Sequence, residues 1–214
     1  MARPRKNDHL KQKLLETGMR LLIDNGYHGT GIKQILDAVN VPKGSFYNFF
    51  TSKEQFVSEI ISYYSTVISE EFSVFLKTFN NESAIITFWL CFQEKVNASE
   101  NCTCLIGAMA SEIAQSSELC RCTIIDAEAA WLSTLTLLLN SAQQQGDVRN
   151  DLKAEDLALS FYNHWQGCLL EFQVSNNPEI VLHRLATFIR LLLTTQGHTK
   201  LASCSHYFKD NLNV

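Results

Sequence analysis

Apolar residues recur every three or four positions along most of this chain, a spacing that places them on one face of an α-helix. Two such stripes, in residues 10–22 and 32–39, are separated by a short turn that includes Gly26, a residue suited to ending a helix. A proline at position 42 closes the second helix, because the residue before proline disfavours the helical conformation. The pattern then predicts a third, short helix from Lys43.

The remainder of the chain predicts longer helices. Capping-box pairs at Thr51/Glu54 and Ser52/Gln55 mark the start of a helix that continues to about residue 79. Further apolar stripes predict helices at about 85–98, 105–113, 119–145, 156–173 and 179–194. The polar tail after Thr195 has no clear pattern. We therefore predict an all-α fold, with a three-helix N-terminal domain in residues 1–52 and a larger helical domain in residues 53–214.

The segment 41–50 combines a turn, a cation, two small residues and two polar side chains in ten positions. Small residues let a helix backbone approach a duplex closely, a lysine can meet phosphates, and tyrosine or asparagine can hydrogen-bond to phosphates or base edges. Phe46 and Phe50, four positions apart, would anchor the helix on its other face. We interpret the segment as the recognition helix of a helix-turn-helix. The residues expected to face DNA are Lys43, Gly44, Ser45, Tyr47 and Asn48.

The charge distribution changes how the net charge of −4 should be interpreted. Residues 1–53 carry nine Lys or Arg against four acidic residues, a balance of +5. The remaining residues carry nine bases and eighteen acids, a balance of −9. A basic N-terminal region on an acidic body is typical of a DNA-binding domain joined to a second domain with another task, although a solvated basic face would show the same split.

Composition narrows the class of protein further. With 46% apolar and 19% charged residues the chain is an ordinary globular protein. It has no run of about 18 apolar residues, so no membrane span is predicted. No apolar block follows its basic start, and we therefore expect a cytoplasmic location. The sequence also lacks a glycine-rich phosphate loop, a nucleophile elbow and a metal triad, which argues against an enzyme, and we predict no cofactor.

The seven cysteines favour reduced thiols, because an odd number without a secretion signal does not suit a disulfide framework. Cys102-x-Cys104 and Cys120-x-Cys122 have too short a gap for a typical zinc site, so no metal site is predicted. Cys104 lies at the expected start of a helix, where a thiol can become reactive. Redox sensing by Cys104 and simple packing are both left open.

Laid out in this way, residues 10–56 resemble the DNA-binding domain of the TetR family of bacterial repressors. The resemblance is carried by the three-helix spacing and by residues Gly26, Tyr27, Thr30, Ile35, Val41-Pro42-Lys43-Gly44-Ser45-Phe46-Tyr47, Phe50, Ser52, Lys53 and Glu54. It implies that Thr30 and Lys53 contact phosphates near helix ends. It also implies a homodimer built from the last two long helices, a palindromic double-stranded DNA operator, and a small-molecule effector for the larger domain.

A narrower similarity connects the chain to the electrophile-responsive N-ethylmaleimide repressor branch of that family. It is carried by Cys104-Leu105, the segment Ala110-Ser111-Glu112-Ile113, and Tyr162, Trp165 and Gly167. In that branch a cysteine at the position of Cys104 is the sensing thiol. A lysine that tunes the thiol there would fall near Gln173, which carries no charge.

Aromatic residues from several helices of the larger domain are candidates to line an effector pocket. This set, completed by one methionine and one histidine, is Phe88, Trp89, Phe92, Met109, Trp131, Phe161, His164 and Trp165. The leading hypothesis is a homodimeric repressor released from its operator by a small molecule or by thiol modification. The alternative is a DNA-binding protein of the same fold whose C-terminal domain binds a protein partner.

Overall fold

A computed structural model describes residues 6–78, 82–98 and 103–203 of the chain. In these ranges the protein is all-α, and its extended backbone is limited to one isolated bridge between Val148 and Leu193. The helices are α1 (Lys6–Gly29), α2 (Ile32–Val39), α3 (Lys43–Tyr47), α4 (Lys53–Thr78), α5 (Ala84–Ala98), α6 (Leu105–Glu112), α7 (Glu118–Gln144), α8 (Ala154–Ser175), α9 (Pro178–Leu192) and α10 (Thr195–Ser203).

The predicted helix ends agree with these bounds to within a few residues. Gly26 interrupts α1 as expected, because its φ of +71° is a left-handed conformation that leaves Tyr27–Gly29 as a separate turn. Asn177 caps α9 by accepting the Glu179 N–H at 2.9 Å, with Pro178 in the first helical turn. The unassigned tail contains a helix, α10, which has only Gly197 and Leu201 as its buried residues and therefore shows no apolar stripe.

The start of α4 uses the predicted capping residues in a different arrangement. Ser52 Oγ accepts the Gln55 N–H at 3.2 Å, as a capping box requires. The Gln55 side chain turns instead to Thr51 and accepts both its N–H, at 2.8 Å, and its hydroxyl, at 2.7 Å. Glu54 is used elsewhere, since its carboxylate accepts the Tyr27 hydroxyl. Two overlapping boxes were predicted, and one half of the Ser52 box forms.

The chain divides into two compact units. The first comprises Met1–Ile68 and Cys104–Ala129, and the second comprises Ser69–Thr103 and Ala130–Val214. The unit that contains the helix-turn-helix thus extends beyond residue 52, because it also takes in the first part of α4, all of α6 and the first part of α7. The assignment of DNA binding to residues 1–52 and of effector binding to residues 53–214 remains a prediction about function.

Each unit has its own apolar core. In the first unit, α1 packs against both α2 and α6. Its fully buried side chains include Leu14, Leu22, Ile35, Phe46, Phe50, Phe56, Ile60, Leu105 and Met109. In the second unit α9 packs against α8 and α5. The large buried side chains there include Phe72, Phe88, Trp89, Phe92, Leu135, Leu139, Phe161, Leu185 and Ile189.

Among the described residues, α7 is the one helix long and apolar enough by length and composition to cross a bilayer. Long core helices pass the same test, and α7 supplies the fully buried Leu135 and Leu139 to the second unit. Its first turns carry Glu118 and Arg121, which form an ion pair. α7 therefore buries one of its faces in the core of the fold.

Candidate nucleic-acid interface

The turn between α2 and α3 is closed by backbone hydrogen bonds. Asn40 adopts a left-handed conformation (φ 57°, ψ 48°), which asparagine tolerates better than most residues. The N–H groups of Asn40 and Val41 then donate to the Asp37 and Leu36 carbonyls at 3.2 and 3.1 Å. Pro42 follows in an extended conformation and caps α3. The short helix therefore leaves α2 in a defined direction, as a helix-turn-helix requires.

One face of α3 is fixed to the interior by three phenylalanines. The ring of Phe46 lies 5.1 Å from Phe50 and 5.2 Å from Phe56, and Phe50 lies 4.7 Å from Phe56, centroid to centroid. All three side chains are buried. Edge-to-face aromatic packing of this kind holds a five-residue helix that could not persist alone in water. The anchoring predicted for Phe46 and Phe50 is confirmed.

The opposite face of α3 is open to solvent. Lys43, Gly44 and Asn48 are exposed, Ser45 is partly exposed, and Tyr47 keeps 51% of its surface accessible. A Cβ built on Gly44 would meet no atom of the chain within 4 Å. Nothing inside the protein therefore requires glycine there, and the open backbone offers close approach to an outside molecule. The five residues expected to face DNA are thus all at least partly exposed, and their contact with DNA remains a prediction.

Thr30 and Lys53, the two expected phosphate contacts, are engaged inside the first unit. The Thr30 side chain is buried, and its hydroxyl donates to the Leu21 carbonyl at 2.9 Å. Any contact of Thr30 with a phosphate would have to come from its backbone N–H. Lys53 Nζ donates to the Tyr27 carbonyl at 2.5 Å and lies 3.9 Å from the centroid of the Tyr27 ring. Lys53 is half-buried and retains further N–H donors, so its phosphate contact remains a prediction.

Tyr27, one of the residues that carry the family resemblance, has contacts that the sequence did not predict. Besides its contacts with Lys53, its hydroxyl donates to Glu54 Oε1 at 3.2 Å. Its backbone N–H donates to Glu112 Oε2 at 2.9 Å. Burial, together with the nearby Glu54 carboxylate, raises the pKa of Tyr27 to about 12. Desolvation lowers the pKa of Lys53, which the carboxylates of Glu54 and Glu112 partly offset.

Seven of the eight candidate pocket residues lie in the second unit, whereas Met109 is part of the core of the first. Met109 therefore does not belong to the aromatic set. Phe161 is central to that set, with ring centroids 4.5 Å from Phe88 and 4.6 Å from Phe92. Trp165 lies 5.1 Å from Phe92. These rings pack on one another as a core does, and a role in lining an effector pocket remains a prediction for them and for Trp89.

His164 and Trp131 lie at the borders of that aromatic set. The His164 ring stacks on Phe188 at 4.6 Å, and its Nε2 lies 3.1 Å from the Arg184 carbonyl oxygen. Trp131 contacts Phe72 at 5.2 Å. Both residues are half-buried, so each retains an accessible edge. His164 also lies 3.5 Å from the Cys168 sulfur.

Cys104 is half-buried at the N-cap of α6, and its side chain does not hydrogen-bond to the helix it precedes. Burial raises the pKa of Cys91 to about 12 and that of Cys168 to about 11, which suits packing residues. Arg121, 17 positions beyond Cys104, is paired with Glu118. Cys102 lies outside the described residues. Within them, no group of three His, Cys, Asp or Glu side chains is placed to hold a metal ion.

Comparisons with known proteins extend over both units. Residues 14–60 match the family described as bacterial regulatory proteins of the tetR family, and residues 83–188 match the tetracyclin repressor-like C-terminal domain. The chain is similar to the HTH-type transcriptional repressor DhaR of Mycobacterium sp. (strain GP1), with 27% identity over 86% of this chain and 92% of that protein. It is also similar to the transcriptional regulator AcuR of Cereibacter sphaeroides, with 27% identity over 86% of this chain and 85% of that protein.

A solved structure matches the fold over nearly its whole length. The crystal structure of the reduced form of Escherichia coli NemR superimposes with a TM-score of 0.77, covering 87% of this chain and 98% of that chain at 22% identity. At this identity the likeness shows the fold. It agrees with an N-terminal helix-turn-helix followed by a larger helical domain.

Proposed function

This chain belongs to the TetR family of DNA-binding transcriptional regulators, and on that premise we propose that it is a homodimeric repressor released from a palindromic operator by an effector. The observation that carries the proposal is the outward face of α3. Lys43, Gly44, Tyr47 and Asn48 stand exposed on a helix whose other face is held by buried aromatic rings. A polar, partly cationic surface on a rigid support is what groove binding requires.

The residues on this face have distinct proposed roles. Lys43 meets a phosphate and contributes to the salt dependence of binding. Tyr47 and Asn48 hydrogen-bond to phosphates or base edges, and Ser45 supports them with its hydroxyl. Because Gly44 has no side chain, the helix backbone at this position can approach the groove closely. Only the contacts to base edges would discriminate between sequences.

An electrophoretic mobility shift with the palindromic DNA upstream of the protein's own gene tests this assignment. The double variant Lys43→Ala/Tyr47→Ala should lose detectable binding, because it removes a phosphate contact and a polar contact from each protomer. Lys77→Ala provides the control, since Lys77 is an exposed lysine on α4 outside the helix-turn-helix. Binding of the double variant with the affinity of the wild type would remove α3 from the interface.

We further propose that α8 and α9 form the dimer interface. On α8 the exposed residues Leu159, Gly167, Leu170 and Val174 lie at helical spacing on one face, and Leu170 and Val174 are 64% and 90% exposed. On α9, Leu191 is 67% exposed. The opposite faces of the two helices are buried. An exposed apolar stripe on neighbouring helices is most simply covered by a second copy of the same chain.

Sedimentation or light scattering of the full chain tests the dimer. Leu170→Glu should convert it into a monomer, because two symmetry-related carboxylates would be desolvated at the interface. Val74→Glu is the matched control, since Val74 is 63% exposed on α4. A Leu170→Glu variant that stays dimeric would rule out this face.

Release from DNA is proposed to follow an effector that favours a second conformation of the protein. The match of residues 83–188 to the C-terminal domain of tetracyclin repressor-like proteins supports a small molecule rather than a protein partner.

Thiol modification is the second route, and the half-buried Cys104 is its candidate. N-ethylmaleimide should release DNA from the wild type and from Cys122→Ser but not from Cys104→Ser. Release that survives in Cys104→Ser would remove Cys104 from the mechanism.

A further inference from the structure

The turn between α1 and α2 exposes two backbone donors that its own helix cannot satisfy. Because Gly26 has a φ of +71°, the helical ladder of α1 is broken just before Tyr27 and His28. The N–H groups of these residues then point away from the preceding turn, as at the start of any helix. Both donate to one atom, Glu112 Oε2, at 2.9 Å from Tyr27 and 3.2 Å from His28. A carboxylate on two backbone donors is a strong, charge-assisted cap.

The space for this carboxylate is provided by the same glycine. A Cβ built at position 26 would lie 2.5 Å from Glu112 Oε1 and 2.9 Å from Oε2. Gly26 thus serves the contact twice: its left-handed backbone frees the donors, and its missing side chain leaves room for the acceptor. This complementarity distinguishes the contact from a chance surface hydrogen bond.

The other restraints on the turn are local. Thr30 Oγ1 donates to the Leu21 carbonyl, Lys53 Nζ donates to the Tyr27 carbonyl, and the Tyr27 hydroxyl donates to Glu54. All of these residues lie within 14–60, the range that matches the DNA-binding family. Glu112, in contrast, stands 85 positions from Tyr27 and 84 from His28. It is the last residue of α6, a helix that packs against α1 in the same compact unit.

We infer that Glu112 is a positioning residue for DNA binding, which fixes the helix-turn-helix by capping the turn at Tyr27 and His28. The inference rests on the proposed function. The turn leads directly into Gly31, the N-cap of α2, and α2 in turn sets the direction of α3 through the Asn40 turn. Without the cap, the α1–α2 connection loses two restraints. α2 and α3 then sample orientations that do not fit the groove, and operator affinity falls although no DNA-contacting residue has changed.

Amide hydrogen exchange of the full chain tests the cap without DNA. In Glu112→Ala the amides of Tyr27 and His28 should exchange at least about tenfold faster than in the wild type. Amides in the first parts of α4 and α7, which belong to the same unit, should keep their protection. Glu112→Gln retains an acceptor oxygen and should restore much of the protection. Glu118→Gln, which removes the carboxylate of a surface ion pair in the same unit, is the control and should leave both amides unchanged. Unchanged exchange in Glu112→Ala would overturn the cap.

Operator affinity then tests the coupling. We expect Glu112→Ala to bind roughly five- to tenfold more weakly, and Glu112→Gln to lie between it and the wild type. The dependence of the affinity on salt should keep the slope of the wild type, because the phosphate contacts are retained, whereas Lys43→Ala should flatten it. A purely structural role would lower the melting temperature without this change in affinity at 25 °C.

The two measurements separate the inference from the proposed function. If the wild type shows no sequence-specific binding, the proposed function fails, and the exchange measurement still decides whether the cap exists. If the amides lose protection in Glu112→Ala but the operator is bound as tightly as by the wild type, the positioning role is wrong. The inference stands only if exchange and affinity change together.

Discussion

Glu112 in the first unit and Asp147 in the second are both carboxylates that hold a segment distant in the chain, and their surroundings differ. Glu112 is half-buried and accepts two backbone N–H groups across the α1–α2 turn. Asp147 has a fully buried side chain, which accepts Lys200 Nζ at 2.7 Å and Gln196 Nε2 at 3.1 Å. These contacts fix α10 beside the turn that follows α7. Glu112 restrains the turn that precedes α2, and Asp147 holds the C-terminal helix α10 in place.

This difference determines what each contact contributes. A fully buried carboxylate is stable only with its counter-charge, so losing the partner costs more free energy than the pair gained. A half-buried carboxylate can be rehydrated when its partners leave, so its loss costs less stability than a broken buried pair. We therefore expect stability to be sensitive at Asp147, whereas DNA binding should be sensitive at Glu112.

The largest expected effect is on the stability of the second unit. Lys200→Ala leaves Asp147 buried without its cation, and the free energy of unfolding should fall by about 3 kcal/mol, the lower end for a broken buried pair because Lys200 is partly exposed. Arg149→Ala breaks an exposed ion pair with Asp151 in the same unit and should cost much less, because water already solvates both charges. Urea unfolding measures both. Equal losses would show that burial does not distinguish the two pairs.

The two glycines with positive φ provide the next comparison. Gly26→Ala forces a left-handed alanine and pushes Glu112 away, so we expect a loss of about 2 kcal/mol together with weaker operator binding. Gly146 has a φ of +75°, but an added Cβ would lie 3.3 Å from the flexible Gln196 side chain. Gly146→Ala should lose about 1 kcal/mol, with operator affinity unchanged. Thermal melts measure the stability of both variants, and mobility shifts measure their operator affinity. Weaker operator binding in Gly146→Ala but not in Gly26→Ala would contradict this expectation.

Alkaline pH should weaken the fold gradually. The pKa values of Cys91 and Cys168 are raised by burial from 9.0 to about 12 and about 11, so the folded state favours the protonated thiols. Their contribution is complete below pH 9 and is lost as pH rises through 11 and 12. Urea unfolding under reducing conditions at pH 8 to 10.5 should show falling stability, with a smaller slope in Cys91→Ala/Cys168→Ala. The same slope in both proteins would contradict this assignment.

The smallest effect is expected at the Tyr27 hydroxyl. Its hydrogen bond to Glu54 is long, at 3.2 Å, so Tyr27→Phe should cost about 0.5–1 kcal/mol. The ring still lies under Lys53, and the backbone N–H still reaches Glu112. Operator affinity should therefore stay near that of the wild type, unlike that of Glu112→Ala. Fluorescence anisotropy with labelled operator DNA measures this affinity. A clear loss of binding in Tyr27→Phe would contradict the expectation.

The sequence predicted those features of the fold that depend on residues close together in the chain. The ten positions 41–50 carry their own turn, anchor and polar face, and helix ends followed from Gly26 and Pro42. Contacts between distant segments could not be predicted in this way. Glu112 caps a turn 85 residues away, and Asp147 pairs with a lysine 53 residues away. Thr30 and Lys53 have the residue types of phosphate contacts, and their internal partners became evident only with the fold.

The most direct test of the central claim is a hydroxyl-radical footprint of the wild-type protein on the palindromic DNA upstream of its gene. A homodimer that presents two α3 helices to successive major grooves should protect two patches about one helical turn, roughly 34–36 Å, apart. Both patches should disappear together in Lys43→Ala/Tyr47→Ala and weaken together in Glu112→Ala. A single patch, or protection that does not change in the α3 variant, would contradict the account.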